Sequence, residues 1–211
     1  MELQLALDLV NIPQAKELVK EVEAYIDIVE IGTPVVINEG LRAVKEIKEA
    51  FPHLKVLADL KIMDAGGYEV MKASEAGADI ITVLGVSDNK TIQGAVEEAR
   101  KQNRKIMVDM INVKDIEGRA KEIDAFGVDY ICVHSGYDHQ ADGKNSFEEL
   151  AAIKRVVKHA KTAIAGGIKL DTLPEVILAN PDLVIVGGGI TGHENKKFAA
   201  ATMQSLVKQG V

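Results

Sequence analysis

The chain has 211 residues, with 25 basic and 32 acidic side chains, a net charge of −7, 47% hydrophobic residues and 27% charged ones. That balance belongs to a globular chain with a sizeable core and excludes disordered and collagen-like chains. The acidic excess argues against general binding to nucleic acid or to an anionic membrane, since both require a basic face.

Short apolar runs recur along the chain, most of them followed by a polar turn and a helical pattern. The first run, Leu3–Leu7, precedes Ala15–Tyr25, which aligns Leu18, Val19 and Val22 on one helical face. Ile26–Ile31 precedes Glu39–Ala50, with Leu41, Val44 and Ile47 aligned. Lys55–Ala58 and Ile80–Leu84 come next, then the helical segment Thr91–Lys101. Lys105–Val108 pairs with Ile116–Phe126, Tyr130–Val133 with Phe147–His159, Thr162–Ala165 with Leu173–Ala179, and Leu183–Val186 with Asn195–Lys208. The eight runs are nearly all apolar, as strands buried on both faces should be. Their alternation with helices implies parallel strands and right-handed crossovers. Eight units of about 26 residues each predict a closed (β/α)8 TIM barrel spanning 1–211 as a single catalytic domain. A doubly wound open sheet is the alternative.

Cys132 is the one cysteine, so no intramolecular disulfide is possible and a reducing, cytoplasmic compartment is expected. Met1-Glu2-Leu3 does not begin a basic segment followed by an apolar run, so a secretory signal is not expected. No apolar stretch approaches the length that crosses a bilayer.

In such a barrel the chemistry sits at the C-terminal ends of the strands. There the sequence places Asp8 after strand one, Glu30 in strand two, Asp59, Lys61 and Asp64 after strand three, Asp109 after strand five and His134 after strand six. A lone aspartate after a strand is often a helix cap, and a lone histidine is often a packing residue. The recurrence of such groups at corresponding points of successive units argues for a site. Carboxylates this close require compensation, which Lys61 supplies in part and a divalent cation would complete. Glu30 and Asp59 lie on neighbouring strands and suit Mg²⁺, which takes one or two carboxylates plus waters and substrate oxygens. No Cys/His cluster has zinc spacing, and Cys132 and His134 are expected to project in opposite directions from their strand. Strands seven and eight end in Ala165-Gly166-Gly167 and Gly187-Gly188-Gly189, where backbone N–H groups can hold a phosphate without basic side chains. The second cluster lacks the spacing of a dinucleotide fingerprint.

The run Asp59-Leu60-Lys61-Ile62-Met63-Asp64-Ala65-Gly66-Gly67 resembles the orotidine 5′-monophosphate decarboxylase suprafamily, and its Asp-Ala-Gly continuation resembles the Mg²⁺-dependent branch. Further stretches resemble the formaldehyde-fixing aldolases of that branch: Ala6-Leu7-Asp8, Glu30-Ile31-Gly32-Thr33-Pro34, Thr82-Val83-Leu84-Gly85 and Val133-His134-Ser135-Gly136-Tyr137-Asp138. The resemblance covers nearly the whole chain in order. It implies that Glu30 and Asp59 hold Mg²⁺, with Mn²⁺ as a substitute. It further implies that Lys61 contacts substrate oxygens, that Asp8 and Asp109 orient substrate hydroxyls or Lys61, and that His134 transfers a proton. Asp64 would complete the site of a neighbouring subunit in a homodimer, and Gly166, Gly167, Gly187 and Gly188 would contact phosphate.

The implied reaction joins formaldehyde to ribulose 5-phosphate through a 1,2-enediolate whose oxygens Mg²⁺ stabilises. The sugar-acid phosphate decarboxylases of the same branch carry arginines where this chain has Tyr137 and Gly188, which favours the aldolase. A lysine Schiff base is disfavoured, because Asp59 and Asp64 flanking Lys61 would stabilise its ammonium form. A silent sugar-phosphate-binding barrel would have no need to keep the carboxylates, the lysine and the histidine together.

Overall fold

The computed structural model describes residues 1–136 and 146–209. Its strands are β1 (Glu2–Leu7), β2 (Ile28–Ile31), β3 (Lys55–Ile62), β4 (Ile80–Leu84), β5 (Lys105–Asp109), β6 (Tyr130–His134), β7 (Lys161–Ala165) and β8 (Leu183–Val186). They pair in parallel in sequence order and close through β1 and β8, forming the (β/α)8 barrel that the alternation predicts. The helices are α1 (Ile12–Val22), α2 (Thr33–Glu39), α3 (Arg42–Ala50), α4 (Gly66–Glu75), α5 (Asn89–Lys101), α6 (Ile116–Ala125), α7 (Ser146–Val156), α8 (Leu173–Leu178), α9 (Gly188–Thr191) and α10 (Lys196–Gln209). None among the described residues is long and apolar enough to cross a membrane.

Two packing layers hold the barrel. Outward-facing strand residues such as Leu3, Val29, Ile81 and Val133 are buried against Val19, Val44, Ile92 and the other apolar stripes of the helices. Inward-facing Ile28, Leu57, Ile80, Met107, Tyr130 and Leu183 fill the interior. Burying each large aliphatic side chain contributes roughly 1.5–3 kcal/mol, so these layers carry the fold.

The N-terminal face shows a repeat with a period of two β/α units. Asp27, Asp79, Asp129 and Asp182 each stand just before an even-numbered strand. Their carboxylates accept backbone N–H bonds from Leu3, Val56, Ile106 and Thr162 of the preceding odd strand, at 2.8, 2.9, 2.9 and 2.7 Å. Each aspartate's own N–H donates back to the carbonyl of the same partner. These reciprocal bonds satisfy backbone groups where the ladder begins.

Several segments differ from the sequence expectation. The stretch between β3 and β4, without a predicted helix, forms α4. It starts on Gly66-Gly67, poor helix formers, and buries small side chains, Ala73 and Ser74, which leaves a weak apolar stripe. Gly66 is required there, because a Cβ would collide with the Thr91 carbonyl of α5. The second crossover is split: Pro34 opens the short α2, and Gly40, with φ +64°, ends it before α3. β3 also runs past Ala58 to Ile62, with an irregular register between those residues.

Candidate active site

A cavity of about 1150 Å³ opens at the C-terminal end of the strands. It is lined by Asp8, Glu30, Asp59, Lys61, Asp109, His134, Gly166, Gly167, Gly187 and Gly188, among others. Of the candidate catalytic, metal and phosphate residues named from sequence, all of them among the described residues, Asp64 alone is not in that lining. It sits between β3 and α4, exposed, and its carboxylate accepts the N–H of Ala65.

The irregularity in β3 creates the centre of the site. Lys61 adopts a left-handed backbone, φ 47°, a conformation that costs a non-glycine residue on the order of 1–2 kcal/mol. Thr82 of β4 supports it, accepting the Lys61 N–H at 2.9 Å while donating to Asp59 Oδ1 at 2.7 Å. Thr33, at the start of α2, donates to Asp59 Oδ2 at 2.8 Å. The Lys61 ammonium then reaches Asp59 Oδ2 at 2.7 Å and Asp109 Oδ2 at 3.1 Å. Sequence spacing suggested Asp64 as the second carboxylate beside Lys61. Within this chain that place is taken by Asp109, because Asp64 turns back to its own loop.

Asp109 also meets His134, with Oδ2 at 2.8 Å from Nδ1. Its Oδ1 accepts the Ile111 N–H at 2.9 Å. Burial alone would raise the Asp109 carboxyl, but the bond and charge of His134, with Lys61 and the Ile111 N–H, outweigh it and hold the pKa at about 2. Asp109 is therefore a carboxylate at any working pH. Burial likewise opposes the Lys61 charge, yet the carboxylates of Asp59 and Asp109 overcome it and raise the ammonium above its ordinary value.

Across the cavity the balance is reversed. Burial, followed by the charges of Asp59 and Asp8, pushes Glu30 well above the usual carboxylate range, and the Gln4 hydrogen bond only partly offsets this. Burial and the Asp59 charge raise Asp8 as well. Glu30, Asp59 and Asp8 thus crowd three carboxyl groups, hard oxygen donors, beside the single ammonium of Lys61. That donor set fits a divalent cation such as Mg²⁺. Among the described residues no group of three acidic, histidine or cysteine side chains forms a complete metal cage. A cation on Glu30 and Asp59 would therefore take its remaining ligands from water and substrate.

Gln4 was missed in the sequence. It is fully buried in β1, between Leu3 and Leu5, and its Nε2 donates to Glu30 Oε2 at 2.6 Å. Its Oε1 is buried without a partner, which costs about 1–3 kcal/mol. Close packing at the rim also requires glycine: a Cβ at Gly32 would strike Asp8 Oδ1 and the Leu7 carbonyl.

Cys132 and His134 were expected on opposite sides of β6, but both line the cavity. Residues i and i+2 of a strand share a face, and the expectation misapplied that period. Burial, then the charges of Asp109 and Glu30, push the Cys132 thiol well above its ordinary value, so it stays protonated. The glycine clusters follow the neighbouring strands β7 and β8 and line the same cavity. Gly166 and Gly167 have φ of +106° and +66°, and a Cβ on Gly166 would collide with the Ser135 carbonyl. Gly187 and Gly188 open α9. Lys169 and Lys196, which the sequence reading did not single out, line the same cavity. Tyr137 lies outside the described residues.

A model of the orotidine 5′-phosphate decarboxylase / HUMPS family matches residues 1–203. The chain belongs to the orotidine 5′-phosphate decarboxylase / HUMPS family. Within it, the chain is 80% identical over 210 residues to a 3-hexulose-6-phosphate synthase from Bacillus subtilis, covering 100% of both chains. A crystal structure of 3-hexulose-6-phosphate synthase from Salmonella typhimurium is 41% identical, with a TM-score of 0.96 over 99% of each chain. A 3-keto-L-gulonate-6-phosphate decarboxylase from Vibrio cholerae is 24% identical, with a TM-score of 0.88 over 100% of this chain and 98% of that one. That last likeness is one of fold. The same fold thus serves proteins with different names, and the side chains in the cavity must decide the chemistry.

Proposed function

We propose that residues 1–211 form one catalytic domain that condenses formaldehyde with D-ribulose 5-phosphate to D-arabino-hex-3-ulose 6-phosphate, an aldehyde-lyase reaction run in the joining direction. The observation that carries this reading is one cavity that holds the Asp59–Lys61–Asp109–His134 cluster, the Glu30 carboxyl group and the glycine backbone after β7 and β8. The 80% identity to a protein named for this activity supports it.

The residues divide the work as follows. Gly166, Gly167, Gly187 and Gly188 receive the phosphate on backbone N–H groups, and Lys169 and Lys196 add positive charge nearby. Formaldehyde offers little surface, so this anchoring supplies most of the binding energy. Glu30 and Asp59 hold Mg²⁺, or Mn²⁺ in its place, which supplies Lewis-acid stabilisation of negative charge on the substrate oxygens. The ionised Asp109 accepts the Nδ1–H of His134, which leaves Nε2 as the basic nitrogen. Nε2 takes a proton from C1 of the ketose, and the C1–H electron pair becomes the C1–C2 double bond of an enediolate. As the C2 carbonyl re-forms, that pair attacks formaldehyde to make the new C–C bond, the formaldehyde π pair moves onto its oxygen, and this alkoxide takes the proton back from Nε2. Lys61, permanently an ammonium beside two carboxylates, donates hydrogen bonds to the developing negative charge. A Schiff base would require its neutral amine, which those carboxylates oppose.

Decarboxylation is the second reading, and Gly188 weighs against it. A Cβ there meets nothing within 4 Å, so packing does not demand a glycine where the decarboxylases resembled by this chain carry an arginine. The difference is one of chemistry. Formaldehyde loss, followed with and without ribulose 5-phosphate and with and without EDTA, tests the assignment. Loss that needs both the sugar phosphate and a divalent cation is expected. No loss from folded protein, with CO₂ released from 3-keto-L-gulonate 6-phosphate, would replace the aldolase with the decarboxylase.

The working unit in this reading is a homodimer, in which Asp64 completes the neighbour's site. Supporting it, Leu9, Ile37, Met63, Tyr68 and Val86 are exposed apolar side chains on or beside the first four strand-to-helix connections. Light scattering should return the mass of two chains. A monomer with full turnover would remove Asp64 from the site.

A further inference from the structure

Strand β1 carries one polar side chain inside an otherwise apolar run. Leu3, Leu5 and Leu7 are fully buried on the helix side, and Ala6 faces inward. Gln4 also faces inward, in register with Ile28 on one side and Ile185 on the other. Leucine or methionine would suit that place in the barrel better than an amide with an orphaned oxygen. What the amide does there is hold Glu30 Oε2, from one step deeper in the barrel than Ala6, the register partner of Glu30.

We propose that Gln4 is a positioning residue for the cation site: by engaging Oε2 from below, it fixes the rotation of the Glu30 carboxylate and presents Oε1 to the cavity. Asp59 receives matching treatment from Thr33 and Thr82, whose hydroxyls hold both of its oxygens. Without Gln4, the Glu30 side chain would lose its fixed orientation while keeping its place on β2. The inference rests on the reading of Glu30 as a cation ligand.

Mn²⁺ binding tests it without turnover. The free ion is followed by electron paramagnetic resonance as Mn²⁺ is titrated into protein with ribulose 5-phosphate present and formaldehyde absent. Wild type is compared with Gln4→Leu, Gln4→Met and Glu30→Gln. Loss of an outer partner of a metal ligand weakens binding about 10–100-fold, and that range is expected for both Gln4 variants, with thermal midpoints at or above wild type. Mn²⁺ affinity within about twofold of wild type in either folded variant would overturn the proposal at this scale of effect. Failure of both variants to fold would also overturn it, since the amide would then serve the barrel itself. No Mn²⁺ binding by wild type, or undiminished binding by Glu30→Gln, would instead remove Glu30 as a ligand and take the inference with it.

Discussion

Replacing His134 with alanine is expected to lower kcat/KM by about 10²–10⁴-fold, the usual contribution of a positioned general base. The barrel should tolerate the change, because His134 lies at the mouth and is partly exposed. Asp109→Asn should produce a loss of similar size, since the carboxylate that orients Nδ1 would be replaced by a neutral amide. The double variant should be little worse than either single one, because the two residues act as a unit. Steady-state kinetics on the four proteins checks this. Additive losses would show that Asp109 serves the reaction by another route, such as through Lys61.

Lys61→Ala should harm both activity and stability. Losing an ammonium aimed at developing negative charge is expected to cost about 10²–10³-fold in kcat/KM. It also leaves Asp59 without its cation and Asp109 with His134 alone, and breaking a buried pair in this way costs roughly 3–5 kcal/mol. The sign of the pH dependence follows from the shifts. Asp109 is held at about 2, below its ordinary 3.8, so its contribution is present above pH 3.8 and is lost as pH falls through about 2. Lys61 is raised above its ordinary 10.5, so its contribution is complete below that value and fades only in stronger alkali. The gap in stability between wild type and Lys61→Ala should therefore be widest between about pH 4 and 10 and shrink toward pH 2. Urea unfolding across that range measures it. A gap independent of pH would mean that the pairs contribute nothing to stability.

The barrel was legible in the sequence for a physical reason. Strands such as Ile80–Leu84 and Leu183–Val186 are buried on both faces, so they appear as short apolar runs that need no subtle pattern. The rule that strand ends carry the chemistry then brought Asp8, Glu30, Asp59, Lys61, Asp109 and His134 to one cavity. What escaped lies in features without periodicity. Helix α4 begins on two glycines and buries small residues. Gln4, Thr33 and Thr82 are polar residues whose purpose exists only across strands. The Asp109–His134 contact depends on which way two side chains turn on adjacent strands, which residue spacing does not encode. The period-two repeat of Asp27, Asp79, Asp129 and Asp182 was present in the letters, each standing before an apolar strand, but its meaning depends on the reciprocal backbone bonds.

The proposed reaction turns on His134 removing a proton from C1 of ribulose 5-phosphate. Proton NMR of the sugar phosphate in D₂O, with protein and a divalent cation but no formaldehyde, tests it most directly. Exchange of a C1 hydrogen for deuterium is expected with wild type, and its loss is expected in His134→Ala. Exchange that persists undiminished in His134→Ala, or its absence in a wild-type protein that consumes formaldehyde, would contradict it.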